Sequence, residues 1–246
     1  MTEDKKILLL GGTDDAVRLN RTLAERPGVD LTTSLAGRTR NPAQLSGKTI
    51  TGGFGGEEGL KKFIAANQIN LVIDASHPFA DKITRNASAA CQSSGIRYIR
   101  YQRLEWAQEP GDRWIAVCNI EEAAKKARDF TRIFLTVGRQ ELAPFMGISD
   151  KFFLIRSIEE AEFVPQQSEV TFIQTRGPFS IADEVSLLRK YRIDLLISKN
   201  SGGTATYAKI EAAKRLGIPV VMINRPAVPD CIRFSDIEVL LTHLDL

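Results

Sequence analysis

Short apolar runs alternate with amphipathic stretches over almost the whole chain. Lys6 to Leu10 reads as a buried strand, and Asp15 to Glu25 places Ala16, Leu19, Leu23 and Ala24 at helical spacing. Val29 to Leu35 predicts a second strand, Glu58 to Ala66 a helix, and Asn70 to Asp74 a strand. Ala80 to Ser93 predicts a helix stopped by Gly95, followed by a strand over Ile96 to Tyr101. The rhythm pauses between Arg103 and Arg113, where Pro110, Gly111 and Asp112 make a turn. It resumes with strands at Trp114 to Cys118, Ile133 to Val137, Phe152 to Arg156, Val170 to Thr175, Asp194 to Ser198 and Pro219 to Ile223. Helices are predicted over Glu121 to Asp129, Ala182 to Tyr191 and Thr206 to Leu216, and Ile237 to Leu241 reads as a last strand in either sheet. Such a β-α alternation implies an α/β protein with mostly parallel sheets and helices on both faces. The pause sets a boundary near residue 103, giving two domains, 1–103 and 104–246.

The 246 residues correspond to about 1.6 average domains. An apolar share of 43% and a charged share of 26% exclude a disordered, fibrous or coiled-coil chain. A net charge of +3 describes a mixed surface and makes no case for nucleic acid. Three scattered cysteines without a CxxC pair, and two histidines, predict no metal or redox site. The run after MTEDKK is too short for a signal-peptide core, and no run approaches membrane length. The expectation is a cytoplasmic protein without a membrane partner.

The candidate chemistry sits where strands end. ILLLGGTDDA carries a strand into Gly11-Gly12-Thr13 and then into a helix, the place where a doubly wound sheet binds pyrophosphate. It is not a full GxGxxG, because Asp14 stands where a third glycine is expected, and Asp14 and Asp15 would also serve as plain helix-start acids. The second strand ends without the acid that holds ribose hydroxyls; Ser34, Gly37, Arg38, Thr39 and Arg40 follow instead, and the arginines suit a 2′-phosphate, favouring NADP over NAD. PAQLSGKT resembles the end of a phosphate loop, but Pro42 replaces the needed glycine and no strand leads in. The Gly52 to Gly56 run is read equally as a ligand loop or a bare turn. DASHPFA puts Asp74, Ser76 and His77 at a strand end, with His77 either a proton donor or a turn former. In the second half, Gly138 and Arg139, then Arg176, then Lys199-Asn200-Ser201-Gly202-Gly203, then Asn224 and Arg225 each follow a strand. Parallel strands would bring these groups to one cationic edge suited to a ligand with several carboxylates or phosphates.

The blocks LLLGGTDDA, DASHPFA, VGRQEL, RGPFS, SKNSGGTATYAKIEAA and PVVMINRP, in that order from Ile7 to Pro226, resemble the precorrin-6A and cobalt-precorrin-6A reductases of cobalamin biosynthesis. The resemblance implies two Rossmann-like domains with a cleft between them, an NADPH-binding 1–103 and a substrate-side 104–246. It implies NADPH-dependent reduction of one double bond of a tetrapyrrole macrocycle to give precorrin-6B, with no metal held by the protein. Other enzymes of the pathway are then possible partners. The macrocycle's acetate and propionate groups would meet Ser76, His77, Arg139, Arg176, Lys199, Asn200, Ser201, Gly202, Gly203 and Arg225. Its ring would lie on Phe54, Phe79 or Phe179. His77 and Lys199 are the candidate proton donors, beside solvent and a ring nitrogen. Competing readings are an NADP-dependent reductase of another polyanion, a non-catalytic NADP(H) sensor, and a transferase using SKNSGG as a phosphate nest. A reductase of the Tyr-x-x-x-Lys kind is excluded because no tyrosine has a lysine four residues on.

Overall fold

The computed structural model describes residues 5–37, 44–157, 167–175 and 177–246. The chain forms two compact units, Met1–Leu104 with Ala227–Leu246, and Glu105–Pro226. Each unit is built on a six-stranded sheet whose paired strands all run parallel.

The first unit contains β1 (Lys5–Leu10), α1 (Asp14–Ala24), β2 (Val29–Leu35), β3 (Lys48–Thr51), α2 (Glu57–Ala66), β4 (Leu71–Asp74), α3 (Asp81–Ser94), β5 (Arg97–Tyr101), β12 (Ile232–Phe234) and α7 (Ile237–His243), with strand order β12-β5-β4-β1-β2-β3. β1 is buried on both faces. Ile7 and Leu9 pack with Leu19 and Leu23 of α1 and with Leu240 and Leu241 of α7. Leu8 and Leu10 pack with Leu60 and Ile64 of α2 and with Ala87 and Cys91 of α3. That two-sided burial explains the unbroken ILLL run, since strands of a covered parallel sheet read as continuous apolar stretches.

The second unit contains β6 (Trp114–Val117), α4 (Ile120–Ala127), β7 (Arg132–Leu135), β8 (Phe152–Ser157), β9 (Glu169–Gln174), α5 (Ile181–Lys190), β10 (Leu195–Lys199), α6 (Ala208–Leu216) and β11 (Val220–Ile223), ordered β6-β11-β10-β7-β8-β9. Counting outward from the central β1 and β7, both sheets have the Rossmann order 3-2-1-4-5-6. The sixth strand is exchanged in sequence. After β5, the fifth strand of unit 1, the chain supplies β6, the sixth strand of unit 2; after β11, the fifth of unit 2, it returns as β12, the sixth of unit 1.

This exchange corrects the expected domain range. The first crossing lies at Leu104, but the last twenty residues belong to unit 1, not to a second domain running to 246. It also corrects the last element: Ile237–His243 is a helix. Asp236 caps it by accepting from Val239 N at 3.0 Å, and Leu240, Leu241 and Leu244 fall on one face against the core of unit 1. β3 and β12 escape the hydrophobic pattern because both are short edge strands with mostly exposed residues. Among the described residues, no helix is long and apolar enough to cross a membrane.

Candidate active site

Because all strands of a sheet point one way, the segments after β1, β2, β4 and β5 share one edge of unit 1. That edge lies where the strand order reverses between β1 and β4, the place at which open α/β sheets bind ligands. Gly11 N donates to Ser34 O at 2.9 Å, which sets the first turn against the end of β2. A Cβ on Gly11 would press on Leu35 and Thr33 at 3.3 Å. Gly12, at φ +112°, faces open space that a side chain would fill. Thr13 then caps α1: its Oγ1 accepts from Ala16 N at 3.0 Å and donates to Ala75 O at 3.0 Å, tying the helix start to the end of β4. The amides of the first helical turn thus face an open turn with no Cβ in the way, a cradle that fits the pyrophosphate of a dinucleotide. Asp15, in that same turn, is paired with Arg18 at 2.6 Å and Arg103 at 2.8 Å, so its charge does not stand alone against an anion. Between this turn and the ends of β4 and β5 lies a cavity lined by Thr13, Asp15, Ser76, Tyr101 and Arg103 among others. Ser34 is buried at the end of β2, and Leu35, Ala36 and Gly37 follow it with no acid. Arg38, Thr39 and Arg40 lie outside the described residues.

Beneath the site runs a buried polar network. Asp74, fully buried, accepts from Ser76 N at 2.9 Å through Oδ1. Its Oδ2 accepts from Thr84 Oγ1 at 2.7 Å and Tyr98 OH at 2.8 Å, and pairs with Arg100 at 3.4 Å. Arg100, 1% exposed, also donates to Thr84 Oγ1 and Gln102 Oε1. Burial and the Asp74 charge push the Tyr98 phenol well above its ordinary pKa, so it stays a proton donor to Asp74. The only sequence signal for this network was charge at the ends of otherwise apolar strands, Asp74 in LVID and Arg100 in RYIRY. Next to it, the buried Ser76 Oγ has no hydrogen-bond partner among the described residues. His77 Nδ1 accepts from Phe79 N at 3.2 Å, which places its ring proton on Nε2 and makes it a turn former as well as a polar group at the edge.

The same edge of unit 2 carries the other candidates. Lys199, last residue of β10, is ion-paired with Glu141, whose second oxygen accepts from Gly138 N at 2.9 Å. Arg139 is exposed on the short 3-10 turn Arg139–Glu141 after β7. Asn200 is buried, and its amide is spent on the backbone of Trp106: Oδ1 accepts from Trp106 N at 2.8 Å and Nδ2 donates to Trp106 O at 3.0 Å. Arg225 donates to the carbonyls of Asn200 at 2.9 Å and Ser201 at 3.1 Å, and approaches Glu105 at 3.8 Å. Gly202 and Gly203 both have positive φ. Arg176 lies outside the described residues. A pair absent from the sequence reading is Arg156 with Glu184, at 2.7 and 3.2 Å, the guanidinium lying 4.0 Å over the Phe179 ring. Of the other aromatic candidates, Phe54 packs against Phe63 and Phe79 lies beside His77.

The phosphate-loop look-alike is refuted by contacts. Ser46 is pinned to α1 through Asn20 at 2.9 Å in both directions, and Lys48-Thr49 open β3. A Cβ on Gly47 would meet Leu31 O at 2.8 Å, so this glycine serves packing.

Fold and site together define a Rossmann-like α/β protein with an open glycine turn at the reversal of its first sheet. The chain belongs to the precorrin-6x reductase family: the model of that family, described as Precorrin-6x reductase CbiJ/CobK, matches residues 6–245. Precorrin-6A reductase of Rhodococcus erythropolis is 45% identical over 91% of this chain and 90% of its own length. Cobalt-precorrin-6A reductase of Methanothermobacter thermautotrophicus is 32% identical over 92% of this chain and 78% of its own. A solved CobK precorrin-6A reductase superposes with a TM-score of 0.90 at 35% identity, covering 98% of this chain and 96% of that one.

Proposed function

We propose that this chain reduces precorrin-6A at one macrocycle double bond in cobalamin biosynthesis, with NADPH as the reductant. The carrying observation is the Gly11-Gly12-Thr13 cradle at the reversal of a Rossmann sheet in a chain of this family. NADPH bound there supplies a hydride. The rest falls to the chain. The α1 amides and Thr13 orient the pyrophosphate; Arg38 and Arg40 follow a β2 end that offers no acid to ribose hydroxyls, which favours the 2′-phosphate. Asp74 holds the Ser76 amide and thereby the segment bearing His77. Lys199 and Arg139 offer charge to the macrocycle's carboxylates, Lys199 by exchanging Glu141 for a substrate carboxylate. His77, with its Nε2 proton, and Lys199 are the candidate donors for protonation of the neighbouring carbon, beside solvent and a ring nitrogen of the macrocycle. The three cysteines are free thiols, as suits a reducing cytoplasm.

The test is anaerobic NADPH oxidation with metal-free precorrin-6A and its cobalt complex offered separately. Oxidation with one and not the other supports the reaction and assigns the branch. NADPH binding without oxidation by either overturns it in favour of a non-catalytic NADP(H) binder. Arg38→Ala is expected to weaken NADPH more than NADH, by roughly 1–3 kcal/mol for a lost charge-assisted contact; equal weakening removes the 2′-phosphate assignment.

A further inference from the structure

The turn after β10 is held by residues far from it in sequence. Four of the five carbonyls from Lys199 to Gly203 have named donors. Lys199 O accepts from Ser201 N at 2.8 Å. Asn200 O and Ser201 O accept from the Arg225 guanidinium at 2.9 and 3.1 Å. Gly203 O accepts from the Trp106 indole N–H at 2.7 Å. Trp106 is itself locked. Asn200 brackets its backbone with two hydrogen bonds, and its ring packs with Tyr207 at 5.7 Å and under the Lys209 ammonium at 5.0 Å. It is 9% exposed.

A trans peptide is planar, so the N–H following a carbonyl points opposite to it. Among the described residues the only cis peptide bond is Gly177-Pro178, so the rule applies throughout this turn. Arg225 drawing Ser201 O to one side sends Gly202 N–H to the other. Trp106 drawing Gly203 O inward sends Thr204 N–H outward. Among the described residues, neither amide has an acceptor. Gly202 and Gly203, at φ +69° and +72°, allow this orientation at consecutive positions. Gly202 is buried and Thr204 exposed, and amides without acceptors on such a turn are donors for an anionic oxygen that seats against it.

The geometry points to Trp106 as a positioning residue for substrate: through its indole N–H it holds the Asn200–Thr204 turn so that backbone amides, and not only cationic side chains, receive a carboxylate of the macrocycle. Arg225 shares this duty from the other side of the turn. The inference rests on the proposed reduction of precorrin-6A and assigns the turn its part in it. Trp106 is assigned no contact of its own with cofactor or substrate. It acts through Gly203 and Asn200.

The experiment uses the full chain and Trp106→Phe, which keeps a ring in the pocket and removes the donor to Gly203 O. Steady-state kinetics with precorrin-6A, NADPH titration by fluorescence, precorrin-6A titration by absorbance, and the thermal midpoint are read on both proteins. Expected is a KM and a Kd for precorrin-6A raised about tenfold, with kcat and NADPH affinity unchanged. Asn200→Ser, which loosens the bracket and leaves the indole, is expected to raise the same two constants less. A Trp106→Phe protein with a lower thermal midpoint but unaltered precorrin-6A constants overturns the inference, as does an equal loss of NADPH affinity. If Trp106→Phe does not fold, Asn200→Ser alone decides: unaltered precorrin-6A constants refute the assignment. Failure of the wild-type chain to oxidise NADPH with precorrin-6A counts against the proposed reaction, while a shift in precorrin-6A binding by Trp106→Phe still reports on the turn.

Discussion

The two units share one strand order and differ at the first turn. After β1, Gly11-Gly12-Thr13 opens an eleven-residue helix with a side-chain cap. After β7, Gly138 opens a three-residue 3-10 turn, and Glu141 closes back on the Gly138 amide. The first arrangement turns helix amides and the positive end of a macrodipole toward an open glycine turn. The second spends a carboxylate on its own loop and on Lys199. Buried charge differs as well. Unit 1 places a fully buried Asp74 and Arg100 beneath its site, whereas Lys199 and Glu141 at the edge of unit 2 are 15% and 30% exposed. A shared topology therefore carries two different edges, one with backbone amides at a capped helix start, the other with charged side chains and a braced turn.

The sharpest way to test this contrast is to remove the buried charge. Asp74→Ala leaves Arg100 buried and unpaired and is expected to cost about 3–5 kcal/mol of unfolding free energy in urea titration. Lys199→Ala, at a partly exposed pair, is expected to cost under about 1 kcal/mol. Equal losses would erase the distinction between the two pairs. Next, Gly12→Val forces a β-branched residue into φ +112° and fills the cradle. NADPH affinity is expected to fall by roughly 1–3 kcal/mol, about tenfold or more, with macrocycle binding retained. Loss of macrocycle binding in place of NADPH binding would reverse the division of labour. Lys199→Ala is expected to raise the precorrin-6A KM about tenfold while NADPH affinity stays, read by paired kinetics and titration.

A smaller effect concerns Tyr98. Its folded pKa is raised, so above pH about 10 the unfolded state releases this proton and the folded state keeps it. Stability is thus expected to fall as pH rises past about 10, and less so in Tyr98→Phe, which itself costs about 1 kcal/mol at neutral pH. The smallest test is labelling: burial pushes the Cys91 thiol up to about 12, so native protein at pH 8 is expected to alkylate at exposed Cys118 and not at Cys91. Reaction at Cys91 before unfolding would show that the core between β1, α2 and α3 opens locally.

Periodicity and spacing located the Rossmann architecture because a parallel sheet covered on both faces demands long apolar runs, as in Ile7 to Leu10, separated by amphipathic helices. The glycine turn was legible for a similar reason: Gly11 and Gly12 are required by a close approach and a positive φ that other residues resist. Side chains at strand ends were legible as types but not as partners. Asn200 and Arg225 read as ligand groups, yet the folded chain commits them to Trp106 and to the turn carbonyls, pairings set by residues 24 to 94 positions apart. The sixth-strand exchange was invisible, because β6 and β12 are short edge strands whose local pattern carries no address. The family blocks, the glycine turn and the alternation of strand and helix were thus written in the sequence itself. Which sheet the last twenty residues complete, and which of the charged groups at the strand ends are already spent, were decided by tertiary structure, where long-range packing and hydrogen bonding outweigh local preference.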